Sequence, residues 1–290
     1  MYKTLMIINL KSGKIDSKKN ILSACEILSN NGYNLNLYFT KEKGDAYKHV
    51  KSKGSRYDLI LAVGGDGTIN EVTSAMMKLK KKPRLAYFPS GTMNDFGSNF
   101  DLSNNYIDIA NKIINPKIKE FDINEFNDSY FNYVAGFGSF TDVSYKTKRE
   151  AKEALGSFAY ILEGFGALSN IKGTKTKIKI NNKVEELDVL FGLIFSGNRV
   201  AGMKLKGNKG TINDGLVNIL LVEYTPNILD YGNYLALLSN EKNKYLHWYS
   251  SNEVELDFED EIKWTLDGEE VNGKKHAHIL VHHNALEMLY

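Results

Sequence analysis

The apolar run at residues 59–63 passes directly into Gly64-Gly65-Asp66-Gly67-Thr68-Ile69-Asn70, and an amphipathic stretch over residues 71–79 follows. This strand–turn–helix pattern constrains the fold more than any other segment. At the carboxyl end of a buried strand, glycines permit positive φ and close backbone approach, so amides and a helix N-terminus can face phosphate oxygens. The segment is not a Walker loop, because no Gly-Lys-Ser/Thr follows, and Asn70 stands where the third glycine of a dinucleotide fingerprint belongs. Asp66 would repel a polyphosphate unless Mg²⁺ or its water shell intervened. An ordinary tight turn is the competing reading.

The surroundings of that turn extend the pattern. Apolar runs at 5–10, 33–39, 59–63 and 85–88 are separated by amphipathic stretches, the signature of βαβ units around a parallel sheet. Ile21, Leu22, Cys25 and Leu28 fall on one face of the first helix, which Asn31-Gly32 ends with a left-handed stop. After about Lys117 a period of two dominates. Strands are predicted at 121–126, 130–135, 174–180, 189–195, 216–222, 253–258, 262–266 and 277–281, with helical pattern at 147–168 and 227–239. The expected fold class is an α/β N-terminal domain with a parallel, Rossmann-like (NAD-kinase-like) sheet plus a mostly antiparallel β C-terminal domain. The expected domains are 1–120, to which a tail at about 284–290 returns, and 121–283, packed around a cleft.

Charge narrows the partners. Lys and Arg number 37 against 35 Asp and Glu, so the global field argues for neither nucleic acid nor strong attraction to anionic membranes. Cys25 is the single cysteine, which excludes an internal disulfide and fits a reducing cytoplasm. The opening apolar run lacks the length and cleavage site of a signal peptide, and no apolar stretch approaches the roughly 20 residues of a membrane helix. The expected location is cytoplasmic, with peripheral membrane contact if the substrate is a lipid.

A second polar turn, Pro89-Ser90-Gly91-Thr92-Met93-Asn94-Asp95-Phe96, follows the next strand, and two such turns at adjacent strand ends face one crevice. Gly64-Gly65-Asp66-Gly67-Thr68 followed by Gly91-Thr92-x-Asn94-Asp95-Phe96 resembles the diacylglycerol kinase catalytic-domain family, especially its soluble bacterial lipid kinases. Asn9-Leu10-Lys11-Ser12-Gly13 is similar to the family's opening Asn-Pro-x-Ser-Gly turn, with Leu10 in place of the proline, and Thr40 with Gly44-Asp45-Ala46 resembles its next segment. Asp122, Gly136-Phe137-Gly138, Leu155-Gly156 with Ala159-Tyr160, and Gly202-Met203 leading to Asp214-Gly215 continue in the family's order. The resemblance implies ATP bound at Asn9, Ser12, Gly13, Thr40, Gly64, Gly65, Asp66, Gly67, Thr68, Asn70, Thr92, Asn94 and Asp95. It also implies a structural Mg²⁺ near Asp214, with the backbone carbonyls of Thr211 and Leu216 as neighbours. One carboxylate and two carbonyls completed by water suit a hard cation, although Asp214-Gly215 also reads as a plain β-turn.

Leu266-Asp267-Gly268-Glu269 resembles the family's catalytic Asp-Gly-Glu, while Asp-Gly between alternating apolar runs is by itself a hairpin signal. Phosphoryl transfer needs a carboxylate to take the acceptor hydroxyl's proton. Asp267 is assigned as that base with Glu269 as partner, the roles being exchangeable, and Asp122 joins them. His276, His278 and His282 share one face of the last strand and read as a solvated face, as does the basic run Lys78, Lys80, Lys81, Lys82 and Arg84. Lys146, Lys148, Arg149 and Lys152 are better placed for an anionic headgroup. The reading is an ATP- and Mg²⁺-dependent kinase acting on a membrane-lipid hydroxyl, with diacylglycerol to phosphatidic acid first. An NAD kinase and an inactive lipid-binding regulator are the alternatives. No motif encodes the acceptor lipid or the oligomeric state, with which a homodimer is compatible.

Overall fold

The computed structural model describes residues 1–12, 20–91, 94–138, 172–197, 199–200, 203–204, 210–225 and 244–290. The chain divides into two compact units, the first comprising Met1–Ile123 with His283–Tyr290 and the second Asn124–His282.

In the first unit the strands are β1 (Tyr2–Ile8), β2 (Tyr33–Phe39), β3 (Leu59–Gly64) and β4 (Arg84–Pro89). Between and after them lie α1 (Ile21–Asn30), α2 (Asp45–Lys53), α3 (Asp66–Met77), α4 (Asp95–Ser98) and α5 (Tyr106–Ile114). β1 pairs in parallel with β2 and β3, and β3 pairs in parallel with β4. Every residue of β3 is buried, as a strand covered on both faces requires. β5 (Ile118–Phe126) begins in this unit, and β15 (Glu269–Leu289) ends in it, where Met288 sits opposite Leu85 of β4 in parallel. Lys117 and Tyr290 exchange both backbone hydrogen bonds, at 3.1 and 3.0 Å. Phe88 stacks on Tyr106 at 4.9 Å between ring centres, fastening α5 to the sheet.

The second unit holds β6 (Ser129–Phe131), β7 (Val134–Gly138), β8 (Thr174–Ile180), β9 (Lys183–Phe195), β10 (Arg199–Val200), β11 (Met203–Lys204), β12 (Val217–Glu223), β13 (Leu246–Ser251) and β14 (Glu253–Leu266). Its ladders are antiparallel: β13 to β12, β12 to β9, β9 to β7 and β8, β14 to β7, β8 and β15. The core gathers around Trp264, fully buried, whose ring lies 4.8 Å from Phe126 and 4.6 Å from Phe137.

This architecture corrects the fold class read from the sequence. Among the described residues strand outweighs helix, 51% against 22%, most pairing is antiparallel, and no self-contained Rossmann-like sheet is present. Among them the parallel ladders run from β1 to β4 and to the tail of β15. The physical reason is that alternating apolar and amphipathic runs reveal local βαβ character but not the long-range partners of each strand. Nor do they show that α4 has only four residues. Local readings change as well, and the strand expected at 130–135 is broken into the end of β6 and the start of β7. Leu22 is 76% exposed, because Ala24 and Leu28 carry the buried stripe of α1. The segment expected as two strands at 253–258 and 262–266 is one strand, β14, whose register to β15 shifts between Asp257 and Trp264. The expected helices at 147–168 and 227–239 lie outside the described residues.

Trp264 offers a test of this packing, because its indole Nε1 is buried and has no hydrogen-bond partner among the described residues. Trp264→Ala is expected to cost about 3–5 kcal/mol through the cavity it opens. Trp264→Phe keeps an aromatic ring, removes the unsatisfied N–H and opens a smaller cavity, so its cost should be clearly lower than that of the alanine variant, about 1–3 kcal/mol. Urea unfolding of the two variants checks the contrast.

Candidate functional site

Three turns at the carboxyl ends of parallel strands form the site in the first unit: Asn9–Ser12 after β1, Gly64-Gly65 after β3 and Ser90-Gly91 after β4. The Gly-rich segment is shorter as a loop than its sequence suggests. α3 starts at Asp66, five residues before the expected helix, so Gly65 alone connects strand to helix. Gly65 has φ −91°, a value open to any residue. Its need for glycine is spatial, since a Cβ there would stand 3.3 Å from Gly91 Cα, and one on Gly91 would stand 2.9 Å from Gly65 Cα. A Cβ on Gly64 would meet Thr68 Oγ1 at 2.4 Å. The requirement for positive φ expected from the sequence is therefore replaced by one for close approach.

Polar contacts tie the turns to one another. Asn9 Nδ2 donates to Thr68 Oγ1 at 3.0 Å, and the hydroxyls of Ser12 and Ser90 share a hydrogen bond of 2.8 Å. Ser90 N and Tyr87 Oη donate to the Gly64 carbonyl, at 2.8 and 3.0 Å. Asn94, in the left-handed region at φ 53°, accepts from Gly91 N and donates to the Gly91 carbonyl, which closes the second turn. Asp66 turns toward this second segment, where Phe96 N donates to its Oδ1 at 3.2 Å. Burial pushes the Asp66 carboxyl up, against the lowering effect of the amides of Phe96, Asp95 and Asn94. Asp95 is buried at the start of α4. Thr40 extends the β1–β2 ladder, its amide donating to the Ile8 carbonyl at 2.9 Å. Gly67 and Asn70 lie on α3, where Ser74 Oγ reaches Asn70 Oδ1 only at 3.5 Å. Gly13 and Thr92 fall outside the described residues, as do Lys146, Lys148, Arg149, Lys152, Leu155, Gly156, Ala159, Tyr160 and Gly202.

The carboxylates assigned to chemistry are firmly held. Asp122, 2% exposed, accepts from Asn284 N at 2.8 Å, and His283 Nδ1 lies 3.0 Å from the same oxygen. In the second unit Asp267 and Gly268, at φ 49° and 85°, close the β14–β15 hairpin with Leu266 opposite Glu269. Asp267 is 5% exposed and accepts from the amides of Asn132 at 2.7 Å, Tyr133 at 3.0 Å and Val134 at 3.1 Å. It is thus a brace between the hairpin and the start of β7, a role its local sequence did not disclose. Glu269 is exposed. Asp214 gathers its turn by accepting from Thr211 N at 2.8 Å and Leu216 N at 3.0 Å. Both oxygens of Asp214 are thus engaged by amides of Thr211 and Leu216, the residues whose carbonyls were expected beside Mg²⁺. No group of three or more His, Cys, Asp or Glu that could hold a metal occurs among the described residues.

Other features resolve without chemistry. His276, His278 and His282 pair with Asp257, Glu253 and Glu125 at 2.7, 2.7 and 2.5 Å. A cavity of about 530 Å³ opens at the amino ends of β3 and β4, away from the three turns. There the basic run is used in pairing, Lys81 with Asp58 and Arg84 with Glu287.

Glycine-rich turns locked together at parallel strand ends, one of them opening a helix, have the geometry of a phosphate-binding class of protein. Residues 3–126 match the diacylglycerol kinase catalytic domain. The chain is 30% identical over 286 residues to a diacylglycerol kinase of Staphylococcus haemolyticus (strain JCSC1435), a match covering 94% of this chain and 86% of that protein. A diacylglycerol kinase of Bacillus subtilis (strain 168) is 28% identical, with 100% and 99% covered. The fold is shared with the crystal structure of a diacylglycerol kinase from Bacillus anthracis str. Sterne, with a TM-score of 0.82 and 24% identity over 100% of this chain and 97% of that one. The chain belongs to the diacylglycerol kinase family and is a lipid kinase. No helix among the described residues is long and apolar enough to cross a membrane.

Asp66 gives the site a pH signature. A carboxyl raised in the folded protein holds its proton more tightly there than in the unfolded chain. Its contribution to stability is therefore complete below the unfolded value of about 3.9 and is lost as the pH rises through the folded value. Urea midpoints of the parent and Asp66→Asn, compared from about pH 7 to about pH 4, should shift in the parent's favour as the pH falls. A difference that does not vary with pH would remove Asp66 from this account.

Proposed function

We propose that this lipid kinase uses ATP with Mg²⁺ and transfers the γ-phosphoryl group to the hydroxyl of a membrane lipid, with diacylglycerol as acceptor and phosphatidic acid as product. The observation that carries the proposal is the close approach of Gly65 and Gly91, which brings the N-terminus of α3 and the Ser90-Gly91 turn together at the carboxyl ends of β3 and β4. Asn9, Ser12, Thr40, Thr68, Asn94 and Asp95 then surround the nucleotide.

In the transfer a lipid oxygen forms a bond to the γ-phosphorus, the bond from that phosphorus to the β–γ bridging oxygen breaks, and ADP leaves. The hydroxyl proton passes to a carboxylate. Asp267 is the first assignment and Glu269 the alternative, because Asp267 is buried and held by backbone amides while Glu269 is exposed. Mg²⁺ at Asp214 would supply a structural positive charge to the turn before β12. Contact with the membrane is peripheral and lasts only for the reaction.

Transfer from labelled ATP to diacylglycerol, phosphatidylglycerol, a sphingoid base and NAD, resolved by thin-layer chromatography, tests the whole reading. Phosphatidic acid is the expected product, and transfer to NAD alone would overturn the lipid assignment. Gly65→Val should abolish ATP binding by calorimetry while the protein stays folded, because its branches would enter the space of Gly91.

Asp267→Asn should lower turnover by a factor of about 10² to 10⁴ if Asp267 is the base. It should also destabilise the fold by about 1–3 kcal/mol, because an amide NH₂ cannot accept from the backbone N–H groups. Turnover must therefore be compared at temperatures where both proteins are folded. Near-normal turnover there, with Glu269→Gln inactive, would exchange the two roles.

A further inference from the structure

Glu71 has no part in the site as described, yet its carboxylate meets three backbone amides of a different helix. It lies on α3, and its Oε1 accepts from Gly44 N at 2.7 Å. Its Oε2 accepts from Ala46 N at 3.1 Å and, more weakly, from Tyr47 N at 3.4 Å. These donors are the first amides of α2. The cap position of that helix is Gly44, at φ 84°, which offers no side-chain cap, while the neighbouring Asp45 turns back to accept from Lys41 N at 2.9 Å.

Two physical consequences follow. A negative charge at a helix N-terminus is favourable, and its hydrogen bonds are charge-assisted. The anion position of α2 is thus filled from within the protein. The second consequence is mechanical. Thr40 N is bound to the Ile8 carbonyl, Lys11 Nζ to the Lys41 carbonyl at 2.7 Å, and Lys41 N to Asp45. Glu71 closes this path by joining the start of α2 to the helix that begins at Asp66.

We infer that Glu71 is a positioning residue for the nucleotide. By capping α2 from α3 it holds the segment from Thr40 to Gly44 at a fixed distance from the Gly65 turn, and so sets ATP affinity without touching ATP. This inference rests on the reading that ATP binds at these turns.

The experiment compares ATP·Mg²⁺ binding by calorimetry, steady-state kinetics and amide exchange in the parent, Glu71→Ala, Glu71→Gln and Val50→Ala. Val50 is fully buried on α2, so its truncation loosens that helix without removing the cap. Glu71→Ala should raise the dissociation constant and KM for ATP about tenfold, the loss of a charged hydrogen-bond acceptor. Turnover at saturating ATP should stay within about threefold.

Glu71→Gln retains one acceptor oxygen and should lose about threefold in affinity, which keeps the test open if the alanine variant does not fold. Exchange at Gly44, Ala46 and Tyr47 should accelerate in Glu71→Ala. Val50→Ala should lower the melting temperature with ATP affinity within about twofold of the parent. ATP affinity unchanged in Glu71→Ala, or weakened equally by Val50→Ala, would show a merely structural cap and overturn the inference. A parent that binds no ATP would overturn the nucleotide reading and this inference with it.

Discussion

Gly65 and Gly91 stand so close that either Cβ would intrude on the other's backbone, and the arrangement of the first unit's turns depends on this contact. It brings the ends of β3 and β4 together, where the Gly64 carbonyl receives both Ser90 N and the Tyr87 hydroxyl. Ser12 then reaches Ser90, Asn9 reaches Thr68, and Asp66 reaches Phe96 N, so each turn is fastened to a neighbour by at least one side chain. Turns fastened to one another before any ligand arrives lower the ordering cost of binding.

In the second unit a carboxylate plays the corresponding part. Asp267 sits at positive φ in a two-residue hairpin and accepts three consecutive backbone amides from Asn132 to Val134. Those amides would otherwise be buried donors without partners, a costly condition. The arrangement fixes the hairpin against β7 and holds the carboxylate in one orientation. A residue so placed braces the fold, and a loss of activity on its substitution needs a stability measurement before it can be read.

Much of the local structure was legible. The left-handed stop at Asn31-Gly32 appears as Gly32 at φ 89°, and the Asp267-Gly268 turn has the two positive φ values its composition calls for. Glu71 was not legible, because its partners lie 24 to 27 residues earlier and no spacing rule connects them. The bracing of Asp267 was hidden for the same reason, its donors lying more than 130 residues away. The Rossmann-like expectation failed where local alternation was taken to imply a whole sheet, since the pairing of Leu85 with Met288 spans most of the chain.

By itself the sequence determined the short-range features: which runs are buried strands, where glycine and Asx residues must turn the chain, and the family resemblance carried by the two polar turns. Those depend on side-chain period and on backbone preferences within a few residues. The tertiary structure alone decided why the glycines are glycines, which carboxylates brace the fold, and how the parallel strands are completed by the returning C-terminus. Each of those rests on a contact between segments far apart in the chain, and such contacts are selected by close packing and by the satisfaction of buried polar groups, which act only once the chain has folded.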